Sequence, residues 1–178
     1  STLASGGHLR GATASRDGRL VALERTNPLT GVVDVWLLDA ERGTRTELTF
    51  GARVGERPRF SGDGRRLLYQ AARDDRNVLL VRDASASAPE EEYWTAPLES
   101  ALSDWSPDGR YVLVAALLPD RRVQLQLHEA GSADTPKPYD PGSPESYDGR
   151  FSPDGLSVAF VAGPPGQAGA VFVGAVPP

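Results

Sequence analysis

The acidic residues with the most regular spacing in the 178-residue sequence belong to a pattern, Ser-x-Asp-Gly, that occurs four times. Its Asp residues are 46, 45 and 46 residues apart. Repeated carboxylates could act as metal ligands, but Ser and Asp side chains also bond to backbone groups of their own turn. We favour turn caps, because each copy supplies one carboxylate that is far in sequence from the others. The eight assigned cap residues are Ser15, Asp17, Ser61, Asp63, Ser106, Asp108, Ser152 and Asp154.

A second group of charged residues lies a few positions before three of these turns. If the segment before each turn is the innermost strand of a repeated unit, these side chains face an axial channel. Mixed charges at a channel mouth could bind a peptide carboxylate, a sugar or an ion, or they could form salt bridges between neighbouring units. The candidate ligand-binding residues are Arg57, Arg59, Asp104, Asp148 and Arg150.

Residues suited to catalysis are scarce. The sequence contains no Cys, which excludes a thiolate zinc site and a cysteine nucleophile. His8 and His128 have no second ligand nearby in sequence, and no Gly-x-Ser-x-Gly elbow occurs. Asp104 and Asp148 form the only candidate carboxylate pair, and the Arg residues interleaved with them favour charge pairing over general acid catalysis. We therefore expect no catalytic residues, no metal site and no cofactor.

The composition argues against two classes of partner. The net charge is −5 and the isoelectric point is about 5.1, whereas nucleic acids and anionic membranes require a basic surface. No apolar run approaches about 18 residues, so we expect no membrane insertion by this segment. The start of the chain, residues 1–4, indicates either a processed N-terminus or a piece of a longer protein. A protein or peptide partner remains the expectation.

Apolar and polar residues alternate on both sides of each turn, which is the period of a β-strand. In the second copy, Phe60 precedes the turn, and Leu67 and Tyr69 follow it. Asp-Gly between two such runs is a strong hairpin signal, because Gly readily adopts a positive φ. A third apolar run follows each hairpin, and a more polar fourth run follows the first three. The third runs are residues 33–38, 78–81, 123–127 and 170–173, and the fourth runs are residues 44–49, 91–95 and 137–139.

Four antiparallel strands in a repeat of about 45 residues make one blade of a β-propeller. The sequence therefore predicts an all-β fold of four-stranded antiparallel blades, with about four blades present as a partial or half propeller. We expect one propeller arc over residues 1–178, with approximate repeats at 8–55, 56–100, 101–145 and 146–178. The last repeat is expected to lack its outer strand.

Three segments resemble the TolB-like, WD-type β-propeller repeat. They are residues 105–110 (WSPDGR), residues 151–155 (FSPDG), and residues 34–39 (DVWLLD) followed by Leu48 and Thr49. The resemblance covers essentially the whole chain. Residues 34–50 and 104–111 are especially similar to the propellers appended to bacterial membrane-anchored serine/threonine kinases and to winged-helix regulators. The first repeat departs from the pattern, with Ala14 in place of the aromatic residue.

This resemblance implies an extracytoplasmic or periplasmic sensor or scaffold module, and it does not imply an activity. Our first hypothesis is a noncatalytic propeller that binds a protein, a peptide or another ligand as part of a larger bacterial protein. The alternatives are the substrate-gating propeller of a prolyl-oligopeptidase-like serine peptidase and a glycan-processing propeller enzyme. TolB-like propellers usually have six or more blades. We therefore expect the end faces to be covered by a second copy, by further sequence of the parent protein, or by closure of the ring.

Overall fold

The computed structural model describes residues 8–49, 55–139, 145–163 and 168–177. The remaining residues of the predicted arc, 1–7, 50–54, 140–144, 164–167 and 178, lie outside the described residues. Regular structure in the described ranges consists of β-strands in four antiparallel sheets. The chain therefore consists of four β-propeller blades, and the predicted fold class is confirmed. These ranges contain no helix that could span a membrane.

The chain divides into two compact units, Ser1–Ala96 and Pro97–Pro178. The first unit contains two four-stranded sheets whose strands pair in chain order. Its first blade consists of β1 (His8–Ala14), β2 (Leu20–Thr26), β3 (Val33–Asp39) and β4 (Arg45–Glu47). Its second blade consists of β5 (Gly55–Phe60), β6 (Arg66–Arg73), β7 (Arg76–Asp83) and β8 (Glu91–Ala96).

The second unit contains the third and fourth blades, which pair in the same order. The third blade consists of β9 (Ser100–Trp105), β10 (Tyr111–Leu117), β11 (Val123–Glu129) and β12 (Lys137–Pro138). The fourth blade consists of β13 (Glu145–Phe151), β14 (Ser157–Gly163) and β15 (Ala170–Ala175). Within the described residues this last sheet has three strands.

Each Ser-x-Asp-Gly segment closes the hairpin between the first two strands of its blade. In the second blade, the Ser61 hydroxyl donates to Asp63 at 2.6 Å and accepts the Arg66 N–H at 3.0 Å. Asp63 also accepts the Arg65 N–H at 3.0 Å. Gly64 donates its N–H to the Ser61 carbonyl and has a φ of 69°, a left-handed value that glycine adopts without strain. Corresponding contacts occur in the turns that begin at Ser15, Ser106 and Ser152.

The core of the first unit lies between its two blades. Alternate residues of β2 and β3 face alternate residues of β6 and β7, because side chains two apart on a strand share one face. Burial of a Leu or Val side chain there stabilises the fold by about 1.5–3 kcal/mol relative to an exposed position. The buried cluster consists of Ala22, Val35, Leu37, Leu48, Leu67, Tyr69, Ala71, Val78 and Leu80.

The core of the second unit packs β10 and β11 against β14, with Leu113, Leu125 and Phe160 among its buried residues. Phe160 contacts two further rings. The Tyr139 ring meets it edge-on with centroids 5.5 Å apart, and the Phe172 ring of β15 stacks on it at 5.9 Å. The segment after β12 is thereby packed against the last two strands of the fourth blade.

Ser106→Ala tests the turn network where it is most buried, since only 1% of Ser106 is exposed. The Ser106 hydroxyl accepts the Tyr111 N–H at 2.8 Å and donates to Asp108 at 2.6 Å. Its removal takes the acceptor from a buried N–H, so we expect the free energy of unfolding to fall by about 1–3 kcal/mol. Urea denaturation measures the change.

The matched control is Ser87→Ala. Ser87 is exposed, and its hydroxyl bonds to the Ser85 hydroxyl at 2.8 Å. This substitution should change the free energy of unfolding by less than about 0.5 kcal/mol. Equal losses in the two variants would show that the Ser106 hydroxyl does not stabilise its turn.

Candidate functional site

The predicted ligand-binding residues lie on the first strands of three blades, β5, β9 and β13. Within each unit the first strands of the two blades contact each other, β1 with β5 and β9 with β13. Arg57 and Arg59 belong to the first unit, whereas Asp104, Asp148 and Arg150 belong to the second. Each group is therefore built on its own pair of neighbouring strands.

A β-bulge interrupts the first strand of every blade. In β5 the register shifts between Glu56 and Arg59, so Arg57 and Pro58 together occupy the place of one residue. Arg57 has a φ of 56°, in the left-handed region. The bulge therefore interrupts the regular alternation of a strand between Arg57 and Arg59.

The equivalent bulge in β13 lies between Tyr147 and Arg150 and contains Asp148, which has a φ of 54°. A residue other than glycine in this region carries strain of about 1–3 kcal/mol, although Asp tolerates it better than most. This bulge likewise interrupts the regular alternation of a strand between Asp148 and Arg150. Arg57 and Asp148 thus occupy equivalent strained positions, one in each unit, and both are exposed.

In the first unit, the bulge of β5 is held by Glu24 on β2. The Arg57 N–H donates to Glu24 Oε1 at 3.0 Å. A Cβ atom at Gly11 would lie only 3.0 Å from the same carboxylate oxygen, so a larger residue there would displace it. Across β1 and β5, Arg10 and Glu56 form an exposed ion pair at 3.4 Å.

In the second unit, two of the predicted residues bond to backbone. Asp104 accepts the Phe151 N–H at 2.8 Å, which joins β9 to β13. The Arg150 guanidinium donates to the carbonyls of Ser103 at 2.9 Å and Gly149 at 2.7 Å. These contacts give Asp104 and Arg150 a structural role between the third and fourth blades.

Gly149 follows Asp148 in this bulge and packs directly on the neighbouring blade. A Cβ atom at Gly149 would lie 2.9 Å from the Leu125 side chain and 3.2 Å from the Leu113 side chain. The Ser103 hydroxyl donates to the Gly149 carbonyl at 3.2 Å from the other side. The close packing of β13 on the Leu113 and Leu125 side chains of β10 and β11 therefore requires glycine at this position.

The turn carboxylates are not grouped. Each of them accepts hydrogen bonds inside its own turn. The largest cause that lowers the pKa of each carboxyl is the hydrogen bond donated by the turn Ser hydroxyl. The four groups are Asp17, Asp63, Asp108 and Asp154. Among the described residues, no group of three or more His, Asp or Glu side chains is arranged to hold a metal ion.

Each unit also contains a cleft that was not predicted from the sequence. The cleft of the first unit has a volume of about 500 Å³ and extends between the turns of Asp17 and Asp63. On its wall, Asp39 accepts the Arg42 N–H at 2.9 Å and forms an ion pair with Arg19 at 3.6 Å. The Arg42 N–H, then the Glu41 N–H, and after them the two guanidinium groups lower the pKa of the Asp39 carboxyl.

The cleft of the second unit has a volume of about 340 Å³. It is lined by two aromatic rings, Tyr111 and Tyr139, and by an ion pair in which Arg110 meets Glu129 at 3.1 Å. His128 also contributes to the lining and is 2% exposed, and burial lowers its pKa.

A sequence signal for these clefts exists in the repeat alignment. Arg stands two positions after the turn Asp in the first three repeats, and an acidic residue ends the third strand of the same blade. These couples are Arg19 with Asp39, Arg65 with Asp83, and Arg110 with Glu129. The repeat alignment therefore identifies the residues that pair at the turn end of a blade. It does not identify the cleft between two neighbouring blades.

No protein-family model matches the sequence, and a search of the curated proteins likewise finds no match. Solved structures do match. TolB from Acinetobacter baumannii is 20% identical and superposes with a TM-score of 0.77, over 97% of this chain and 42% of TolB. A puromycin-hydrolyzing peptidase from Mycobacterium tuberculosis is 14% identical, with a TM-score of 0.70 over 98% of this chain and 28% of the peptidase.

An oligogalacturonate lyase in complex with manganese is 15% identical, with a TM-score of 0.66 over 96% of this chain and 48% of the lyase. The chain spans less than half the length of each of these three proteins. At these identities the similarity establishes the fold, which is a TolB-like β-propeller.

The turn carboxylates predict a loss of stability in acid. Their pKa values in the folded protein lie below the ordinary value of an aspartate side chain, so the unfolded chain binds more protons than the folded chain as the pH falls. The stabilisation is complete above about pH 4 and is lost as the pH falls through the lower folded pKa values. In the double variant Asp63→Asn/Asp108→Asn, the free energy of unfolding should fall less steeply with decreasing pH than it does in the parent. Urea denaturation between about pH 2 and pH 6 measures this dependence. If the free energy of unfolding depends on pH in the same way in the double variant and in the parent, the expectation is contradicted. The control Ser87→Ala should retain the pH dependence of the parent.

Asp104→Ala separates a structural role from a purely ligand-binding one. Loss of the acceptor for the Phe151 N–H should lower the free energy of unfolding by about 1–3 kcal/mol. The control is Asp134→Ala in an exposed loop of the same unit, which should cost less than about 0.5 kcal/mol. If thermal and urea unfolding of Asp104→Ala match those of the parent, the contact with β13 does not stabilise the unit.

Proposed function

We propose that this chain is a noncatalytic binding propeller that serves as an extracytoplasmic sensor or envelope module of a larger bacterial protein. The mechanism is display, in which paired strands hold charged side chains in fixed positions for a protein or peptide partner. The TolB-like fold supports the scaffold part of this proposal. The similarity of the repeat to propellers of bacterial kinases and winged-helix regulators supports the sensor part.

The observation that carries the proposal is the exposed Arg57 on the bulge of β5. Its N–H is fixed by Glu24, and its left-handed φ is of the kind that concentrates at binding positions. Arg10, Arg57 and Arg59 outnumber Glu56 on the contacting strands β1 and β5. An acidic segment of a partner complements this local excess of positive charge.

The roles of Asp104 and Arg150 support a noncatalytic function. Asp104 bonds to the backbone of β13, and Arg150 bonds to the backbone of β9. A general acid or nucleophile must instead reach the substrate. The proposed contribution of both side chains is to hold the strands that display Asp148.

Two alternatives keep some support from the structural comparisons. One is the substrate-gating propeller of a prolyl-oligopeptidase-like peptidase, and the similarity to the puromycin-hydrolyzing peptidase favours it. The other is a glycan-processing enzyme, which the similarity to the oligogalacturonate lyase favours. A hydrolase domain in the parent sequence would support the first of these alternatives over a sensor.

We also propose that a second copy of the chain, or further sequence of the parent protein, completes the propeller. The outer face of the fourth blade supports this, because Val171 is 74% and Val173 is 72% exposed on β15. Apolar side chains exposed side by side on an edge strand favour association with another strand or blade. A symmetric pair of copies is one arrangement that covers such faces.

Arg57→Asn tests the displayed charge, since Asn removes the guanidinium and tolerates a left-handed φ. We expect the full chain to bind a fluorescent peptide rich in Glu and Asp in preference to a Lys-rich peptide of equal length. Arg57→Asn should weaken the binding of the acidic peptide about two- to fivefold, as expected for an exposed ion pair. Fluorescence anisotropy at low salt measures the affinity.

Arg121→Asn is the matched control, because Arg121 also has a left-handed φ, 67°, but lies in the turn between β10 and β11. This variant should bind the acidic peptide as the parent does. Equal weakening in both variants would indicate nonspecific charge attraction. The absence of any preference for the acidic peptide would reject the proposed display surface.

A further inference from the structure

The cleft of the second unit lies between the turn end of the third blade and the segment that follows β15. The Tyr111 hydroxyl donates to the Pro177 carbonyl at 3.4 Å, and the Tyr139 hydroxyl donates to the Ala175 carbonyl at 3.1 Å. Both rings are therefore held in place before any ligand arrives. The volume of about 340 Å³ falls at the lower end of the range of small-molecule sites, about 300–1,000 Å³.

The walls of this cleft combine apolar surface with a neutralised ion pair. Leu127 and Pro138 line it together with the two rings. The Arg110 guanidinium stacks over the Tyr111 ring at 4.8 Å and pairs with Glu129 at 3.1 Å. Arg110 thus extends the flat wall, while its charge is already compensated by Glu129.

Two opposite charges in the lining form no ion pair within the part of the chain that the structure describes. They are the Lys137 ammonium group and the Asp134 carboxylate. Lys137 lies opposite Leu127 on the ladder between β11 and β12, which places the two side chains on one face of the sheet. Asp134 is exposed in the loop before β12, where its N–H donates to the Ser132 hydroxyl at 3.1 Å.

The equivalent cleft of the first unit has different chemistry. Strand register and turn contacts show that Thr46 takes the place of Lys137 and Leu20 takes the place of Tyr111. Its lining contains no aromatic ring among the residues that the structure describes. The aromatic walls and the ammonium group are therefore a property of the second unit and not a general feature of the blade.

We propose that the cleft of the second unit binds a small zwitterion with an apolar side chain, either a free α-amino acid or a dipeptide. The apolar side chain packs on Tyr139 and on the flat wall that Arg110 forms over Tyr111, the ligand carboxylate pairs with Lys137, and the ligand ammonium group pairs with Asp134. Hydrogen bonds between charged partners are the stronger kind, and each charge of the ligand meets one of opposite sign. A ligand of the same size with a single charge leaves one rim group without a partner, which provides selectivity.

Isothermal titration of the full chain with L-phenylalanine and L-leucine tests the site. We expect saturable binding with a dissociation constant of about 1 mM or lower, in keeping with the size of such ligands. N-acetyl-L-phenylalanine lacks the ammonium group, and L-phenylalaninamide lacks the carboxylate. Each should bind about tenfold more weakly than L-phenylalanine, because it loses one charged hydrogen bond.

Two variants identify which protein group meets which ligand charge. Lys137→Gln should weaken L-phenylalanine about tenfold but leave the affinity for L-phenylalaninamide unchanged, since that ligand has no carboxylate to lose. Asp134→Asn should show the reverse pattern, with weakened binding of L-phenylalanine and unchanged binding of the N-acetyl derivative. Thermal midpoints equal to that of the parent establish that both variants are folded.

Arg122→Gln provides the matched control, because Arg122 is an exposed cation of the same unit that pairs with Asp120 outside the cleft. This variant should bind L-phenylalanine as the parent does. The proposal is overturned if the parent shows no saturable heat. The proposal is also overturned if both Lys137→Gln and Asp134→Asn bind L-phenylalanine with the affinity of the parent.

Discussion

The hydroxyl of the turn serine is the contact on which the rest of each blade depends. In the second blade, Ser61 bonds to Arg66 twice, since its N–H donates to the Arg66 carbonyl at 2.9 Å and its hydroxyl accepts the Arg66 N–H. This double contact fixes the register of the first two strands. A slip of one residue would move Leu67 and Tyr69 from the core to the opposite face of the sheet. The turn therefore sets which residues each blade presents to its neighbour.

A fixed turn also fixes the position of the bulge that precedes it. Because the bulge inserts one residue into the first strand, it bends that strand and turns backbone groups towards the neighbouring blade. In the first unit Glu24 receives the Arg57 N–H, and in the second unit Gly149 packs on Leu125. The strands that carry the candidate charges are thus the same strands that join the blades. A charged side chain on these strands can either stabilise the contact between two blades or remain available to a ligand. Asp104 does the first, because it accepts the Phe151 N–H of the neighbouring blade.

The parts of this structure that follow from local chemistry could be predicted from the sequence. Asp-Gly marks each hairpin, and the alternation around Leu67 and Tyr69 marks the strands and the core. The bulges could not be predicted, because Arg57 adopts a left-handed φ that its residue type does not favour, and an Asp such as Asp148 tolerates a left-handed φ without requiring it. Two of the contacts of Asp104 and Arg150 were also hidden, since the Phe151 N–H and the Ser103 carbonyl are backbone groups of an adjacent blade. Clefts depend on the space between elements that are distant in sequence, which no single-sequence pattern records.

The repeat separates residues that build the blade from residues that give one blade its own chemistry. A turn of the same kind stands beside both clefts, yet Leu20 is replaced by Tyr111 and Thr46 by Lys137 at equivalent positions. Neither replacement disturbs the turn network, because both side chains project from strands whose register is already fixed. The blade frame can therefore accept a new binding surface at one position without loss of its fold. It follows that in such a propeller the residues that differ between equivalent positions carry more functional information than the residues that recur.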